Sequence, residues 1–303
     1  MELAYTAFQQ VLTMVVLIII GIICAKIGMI DDETNKKLSN LLLMLVNPLL
    51  IFLSYQRHFA AVMLKGLLWA VFLSTLSFGI SILGASIIYK DRQGKNYAIE
   101  KFGTVYSNAG FLGIPLVNGV FGSEGVFYLT GYLTVFFIFF WSHGLIVMSG
   151  KRDFTAIRKA FLSPAMISIF LGLAFFIFRI SLPEVIHKPL SLLGNINTPL
   201  AMLVAGVSIA NTNVKEVLKD KRIYGVCIVR LLILPALTIV SFMPFRASNI
   251  VVGTVAIAAS CPVAANIIML AYRYERENVY AAQIFAATTI VSLVTIPFIL
   301  LWL

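Results

Sequence analysis

Charge is what this sequence has least of. Lys, Arg, Asp and Glu make up 12% of its 303 residues while 60% are hydrophobic, against about 25% charged in an ordinary soluble domain. A water-soluble globule is excluded, because one core cannot hide so much apolar surface. The apolar residues instead fall in blocks of about 20, the length that crosses a hydrocarbon layer of about 30 Å. Cysteine is scarce as well: Cys24, Cys227 and Cys261 are odd in number and lie inside apolar blocks, so no disulfide framework is implied. Acidic residues are confined to loops and span ends, which leaves an intramembrane carboxylate relay without a candidate. His-Glu-x-x-His and Gly-x-Ser-x-Gly are both missing, so neither zinc-protease nor hydrolase chemistry is supported, and no cofactor is implied. The net charge of +10 sits in short loops between apolar blocks, which reads as orientation and lipid contact and not as a nucleic-acid surface.

What is present is a series of ten apolar segments, at about 7–26, 38–55, 65–89, 102–121, 125–149, 161–180, 188–210, 222–243, 250–272 and 278–301. Backbone groups in lipid must bond within their own segment, and no ten-residue alternation of a barrel is visible, so the expected fold class is all-α. The first segment has no basic n-region before it and no small-residue cleavage site, and its apolar run from about Ala7 to Ala25 is longer than a signal-peptide core, so it reads as a retained span. Of the 23 Lys and Arg, 17 fall in the loops after spans one, three, five, seven and nine; five, Arg57, Lys65, Arg179, Lys188 and Arg246, fall on the other side. The positive-inside rule then predicts a multi-pass protein of the cell membrane with both termini outside the cytoplasm.

Prolines recur in matching places. Asn47-Pro48 in span two corresponds to Thr198-Pro199 in span seven, and the run Ser107-Asn108-Ala109-Gly110-Phe111-Leu112-Gly113-Ile114-Pro115 in span four corresponds to Ser260-Cys261-Pro262-Val263-Ala264-Ala265-Asn266 in span nine. The offsets between paired prolines are 151 and 147 residues. Glu124-Gly125-Val126-Phe127-Tyr128 and Glu277-Asn278-Val279-Tyr280 add a weaker match. The expected organisation is two five-span repeats, 1–150 and 151–303, the second inverted because an odd number of spans ends on the opposite face. Inverted repeats with broken spans at matching positions point to a secondary transporter with substrate near the midplane.

Pro115 removes a donor and crowds the carbonyl of Phe111, while Gly110 and Gly113 restrict the chain little, so span four is expected to unwind there. Freed amides suit an anionic group and freed carbonyls a cation. The candidate substrate-binding residues are therefore Asn47, Pro48, Ser107, Asn108, Gly113, Pro115, Pro199, Ser260, Pro262 and Asn266, with Arg230 added as the one Lys or Arg well inside a span. Arg230 has two readings, attraction for a carboxylate or bonding to backbone carbonyls. His143 has two as well, a titrating group or a packed neutral ring. A coupling sodium ion or proton is compatible with the pattern, and so is anion efflux driven by voltage alone, at about 2.3 kcal/mol per charge per 100 mV.

The 108–116 run, the Asn-Pro of span two, and Cys-Pro-Val-Ala-Ala-Asn followed by the Arg-Tyr-Glu-Arg-Glu loop resemble the auxin efflux carrier family, which includes plant PIN-type auxin carriers and bacterial malate or malonate permeases. The resemblance covers nearly the whole chain and is to the compact bacterial type. It implies ten helices in two inverted five-helix repeats, akin to bile-acid symporters and sodium/proton antiporters. Spans one, two, six and seven would form a scaffold that dimerises; spans three to five and eight to ten would form a transport domain moving as an elevator. Asn108, Pro115, Pro262 and Asn266 would fall on the crossover, faced by Asn47 and Pro48. The implied cargo is a small organic anion such as malate, malonate or an auxin-like acid. A ligand sensor or a channel on the same frame is the alternative.

Overall fold

Local sequence sets where the helices begin. Asp31 caps α2 (Asp32–Leu41) by accepting from the Thr34 amide at 2.8 Å. Ser163 and Ser248 cap α8 (Pro164–Ile177) and α13 (Asn249–Ser260), and Pro164 takes the first turn of α8, where its missing N–H is no loss. The remaining helices are α1 (Glu2–Lys26), α3 (Asn47–Ser54), α4 (Ala61–Ile88), α5 (Tyr97–Val105), α6 (Ile114–Phe139), α7 (Leu145–Ser149), α9 (Glu184–Asn195), α10 (Asn197–Ala210), α11 (Lys221–Ile228), α12 (Leu234–Phe242), α14 (Asn266–Arg273) and α15 (Asn278–Leu300). The computed structural model of the chain describes residues 2–89, 96–150, 162–212, 217 and 219–300. The basic residues Lys90, Arg92, Lys95, Lys151, Arg152, Arg158, Lys159 and Lys215, on which the orientation reading leans, lie outside them, as do the boundary at residues 150 and 151 on its 151 side and the first residue of span six.

Among the described residues seven helices are long and apolar enough to cross a membrane: Phe8–Lys26, Asp32–Ser54, Ala61–Ile88, Ala109–Ser149, Glu184–Ala210, Lys221–Phe242 and Asn278–Ile299. Pro164–Ile177 and Asn249–Ser260 are shorter apolar helices. The protein is an all-helical, multi-pass membrane protein. Its outward faces are apolar, as lipid requires: Phe8, Leu12, Val16, Ile19 and Ile23 are exposed along one side of α1.

Among the described residues four turns widen to the π form, at Leu42–Val46, Ala109–Gly113, Phe140–Gly144 and Val229–Ile233. Three of them end two residues before a proline, Pro48, Pro115 or Pro235. A proline inside a helix removes a donor and presses its ring on the carbonyl four residues back, and an extra residue in the preceding turn relieves both. Prolines in these spans thus widen the helix and do not break it.

Ala109–Ser149 is 41 residues, far longer than a bilayer needs. It is bent at Gly122, whose φ of 63° and ψ of −158° favour glycine. A Cβ on Gly125 would lie 2.8 Å from Val117 Cγ1, a residue eight positions earlier. In a straight helix that residue is about 12 Å away along the axis, so the chain doubles back at Gly122.

Two packing groups emerge. In the first, α1 runs along α10, and α3 lies against α8 and α9. In the second, α4, α6 and α13 pack together, with α15 against α13 and α14. The α1–α10 contact is very close: a Cβ on Gly206 would sit 2.2 Å from Ile18 O, and one on Gly21 2.5 Å from Leu203 O. Backbone touches backbone there, the approach that small residues allow between membrane helices.

Candidate functional site

The second group contains two interrupted helices. α5 ends at Val105 and Tyr106 is extended; α13 ends at Ser260 and Cys261 is extended. Between these ends Ser107 and Val263 form an antiparallel bridge, the one such pairing among the described residues. The Asn108 amide donates to Pro262 O at 2.7 Å and the Ala264 amide to Tyr106 O at 2.9 Å. Two broken backbones that would be left unsatisfied in an apolar medium satisfy each other. Helical turns then resume with Asn108 leading into Ala109–Gly113 and Ala265 into α14.

The break in span four therefore lies at residues 106–108, upstream of Pro115. The expectation of unwinding at Pro115 and the glycines is corrected: Pro115 sits in the first turn of α6, where a proline is tolerated, and the widened turn before it absorbs the clash. In span nine the break does fall on Pro262.

A cavity of about 50 Å³ lies beside the crossover. Its polar lining is Asn47 from α3, Ser107 and Asn108 from the first break, and Asn266 from α14; Leu43, Ile51, Phe111, Ile114, Leu133, Phe136 and Phe137 supply apolar wall. A small-molecule site takes roughly 300 Å³ or more, so this chamber as it stands has room for waters but not for a substrate. Ser107 Oγ is 2.8 Å from the Tyr132 hydroxyl. The Asn47 amide donates to Gly110 O at 3.0 Å and accepts from the Asn197 amide, so one bonded path runs from α10 through α3 to the crossover.

The other expected site residues have different surroundings. Pro48 is buried in the first turn of α3, and Pro199 is exposed in the first turn of α10. Gly113 is a packing residue: a Cβ there would lie 3.3 Å from Cys261 Sγ. The Pro115 carbonyl accepts from Gln10 Nε2 at 3.4 Å. Ser260 Oγ donates to Ala256 O at 2.7 Å within its own helix, and Pro262 contributes its carbonyl to the bridge. Arg230 is 1% exposed, and its nitrogens donate to backbone carbonyls: Nε to Cys261 at 3.1 Å, Nη1 to Thr104 at 3.3 Å and Val105 at 3.4 Å, Nη2 to Ala259 at 2.8 Å. His143 Nδ1 is 2.9 Å from the Tyr106 hydroxyl, which itself donates to Phe139 O, so the ring nitrogen is the donor and the imidazole orients the residue that opens the first break.

Two polar residues were missed by sequence reasoning. Asn197 is buried on Asn47; the signal was there, since Asn197-Thr198-Pro199 repeats Asn47-Pro48 with one residue inserted. Glu100 is 3% exposed and accepts from the Tyr280 hydroxyl at 3.0 Å, so this acid lies at a span end, as expected, but inside the protein. Its neighbour Lys101 made that turn look like loop.

The sequence profile of the family described as Membrane transport protein matches residues 6–157 and again residues 151–300. The chain is 27% identical over 300 residues to an uncharacterized transporter of Methanothermobacter thermautotrophicus, covering 95% of this chain and 96% of the relative. It is 26% identical over 302 residues to an uncharacterized transporter of Methanocaldococcus jannaschii, covering 94% and 95%. With a helical membrane frame, paired broken helices and a profile match across nearly its full length, the chain belongs to the membrane transport protein family, the auxin efflux carriers.

Proposed function

We propose that this protein is a secondary carrier of small organic anions, carboxylates of the malate, malonate or auxin-like class. The observation that carries the reading is the lining of the crossover cavity. Two helix starts, at Asn108 with Ala109–Gly113 and at Ala265 with Asn266, open onto one chamber, each with an asparagine amide beside it. Helix N-termini hold about half a positive charge and unbonded amide donors, which suits a carboxylate. Asn47, Ser107, Asn108 and Asn266 make the first contacts with substrate; Pro48, Gly113, Pro115, Pro199, Ser260 and Pro262 shape the backbone that presents them.

The carrier has ten spans in two inverted repeats, 1–150 and 151–303. The bend at Gly122, which separates spans four and five, and the α9–α10 joint at Ile196, which lies 150 residues after Val46, support that count. Spans one, two, six and seven are the scaffold and the dimer contact. Spans three to five and eight to ten move against them as an elevator, across the small cavity between α3 and the crossover. Both termini face away from the cytoplasm of the cell membrane.

The experiment is uptake of radiolabelled malate, malonate and indole-3-acetate into proteoliposomes, with sodium, proton and voltage gradients imposed one at a time. Saturable flux of one acid is expected, and Asn108→Ala and Asn266→Ala each reduce it at least about 100-fold, the scale of removing one or two charge-assisted hydrogen bonds, while the protein stays folded in the membrane. Binding without flux under every gradient establishes a sensor instead.

A further inference from the structure

The two helices that end at the crossover, α5 and α13, bring their C-termini to the same guanidinium. Each C-terminus holds about half a negative charge and carbonyls with no partner in the helix. The partners these carbonyls would have in a continuous helix are diverted. Thr104 O would take the Asn108 amide, which goes to Pro262 O. Ala259 O would take the Val263 amide, which goes to Thr288 Oγ1 at 3.2 Å. Arg230 fills both places and also bonds Val105 O and Cys261 O, with contacts of 2.8 to 3.4 Å. A cluster of backbone carbonyls at two negative helix ends is the arrangement by which transporters of this architecture hold a sodium ion.

We propose that Arg230 is the built-in cation of the crossover: it occupies the carbonyl cluster that a coupling sodium ion would fill, so the carrier moves its anion without bound sodium. The proposal rests on the carrier reading and deepens it. Arg230 comes from a third element, the widened turn Val229–Ile233, so its charge is covalently tied to the protein through every cycle. Among the described residues it is the one fully buried cation, and the one buried carboxylate, Glu100, lies a turn back along α5 with the Tyr280 hydroxyl on it. The guanidinium's countercharge is therefore the two helix ends themselves. With the negative ends neutralised, the two positive ends that line the cavity are left unopposed, which raises affinity for an anion. Arg230 is thus a positioning residue that acts on substrate through the field and geometry of the crossover.

The test is thermal melting of the purified protein in sodium, potassium and choline chloride at equal ionic strength, which needs no substrate. Wild type is expected to melt at one temperature in all three. Arg230→Ala is expected to melt about 10 °C lower, the scale of losing several charged hydrogen bonds in a chain of this size. It regains at least half of that with millimolar guanidinium or sodium and none with choline. Arg230→Lys, which keeps the charge and loses the planar fork, melts between the two and stays indifferent to sodium. Should Arg230→Ala fail to accumulate, Arg230→Lys and the wild-type salt series decide. Sodium-specific stabilisation of wild type or of Arg230→Lys overturns the proposal, and so does an Arg230→Ala that melts like wild type or ignores both cations. In proteoliposomes, voltage-driven malonate flux is expected to agree within twofold between sodium and choline media. Absence of flux for every acid counts against the anion reading, whereas the melting series bears on Arg230 alone.

Discussion

Two of the contacts that α10 makes are built from opposite materials. Against α1 it has glycine: Gly21 and Gly206 let backbone meet backbone, with nothing polar needed. Against α3 it has asparagine: Asn197 bonds Asn47, which bonds a carbonyl of the crossover, and a cavity opens alongside. Close backbone packing is won by dispersion over many atoms and has one good geometry. A hydrogen bond between two amides and a carbonyl can be exchanged for a similar one after a shift of a few ångströms. On the proposed elevator, the glycine contact holds the scaffold together, and the bond from Asn47 to the Gly110 carbonyl is the one that crosses to the moving part.

The comparison is broken most severely at the first interface. Gly206→Val places a Cβ where 2.2 Å separates it from Ile18 O, a backbone atom that cannot step aside. A loss of about 3 kcal/mol is expected, which thermal melting reads as a fall of roughly 5 °C. The second interface sharpens it. Asn197→Ala removes one donor and leaves Asn47 Oδ1 buried without it, for about 1 to 3 kcal/mol, and the variant is expected to alter the rate of carboxylate flux more than its apparent affinity, because the cavity lining is intact. An unchanged rate with a raised half-saturation would mean that Asn197 acts on substrate and not on the movement. The smallest effect belongs to the exposed pair Glu33–Lys37 on α2, 2.8 Å apart with both side chains mostly in solvent. Lys37→Ala changes the melting temperature by less than about 2 °C, consistent with at most about 0.5 kcal/mol.

Much of this was legible in the chain. Apolar block length gives helices and a membrane, and the paired prolines led to residues that the fold brings together, since Asn47, Ser107, Asn108 and Asn266 all line one cavity. The exact break was not legible. Val105-Tyr106-Ser107 contains no helix breaker, and its extended form depends on Val263, 156 residues away. Prolines report where a helix is perturbed, not whether it will widen or stop, because the outcome depends on whether another backbone is there to take the freed groups. Arg230 shows the same limit. Its position within an apolar block marks it as unusual, but the carbonyls it serves come from two other helices. Burial of Glu100 is likewise set by Tyr280 at the far end of the sequence.

The Ser107–Val263 bridge also sets an order on how the protein is made. The Asn108 amide and the Tyr106 carbonyl find their partners in Pro262 and Ala264, and the ribosome reaches those residues only roughly 10 to 30 s later at about 5 to 20 residues per second. For that interval the first half holds a helix end with polar groups unmatched. The break in span four thus stays without its backbone partners until span nine has been made, and the crossover can close only after most of the chain is synthesised.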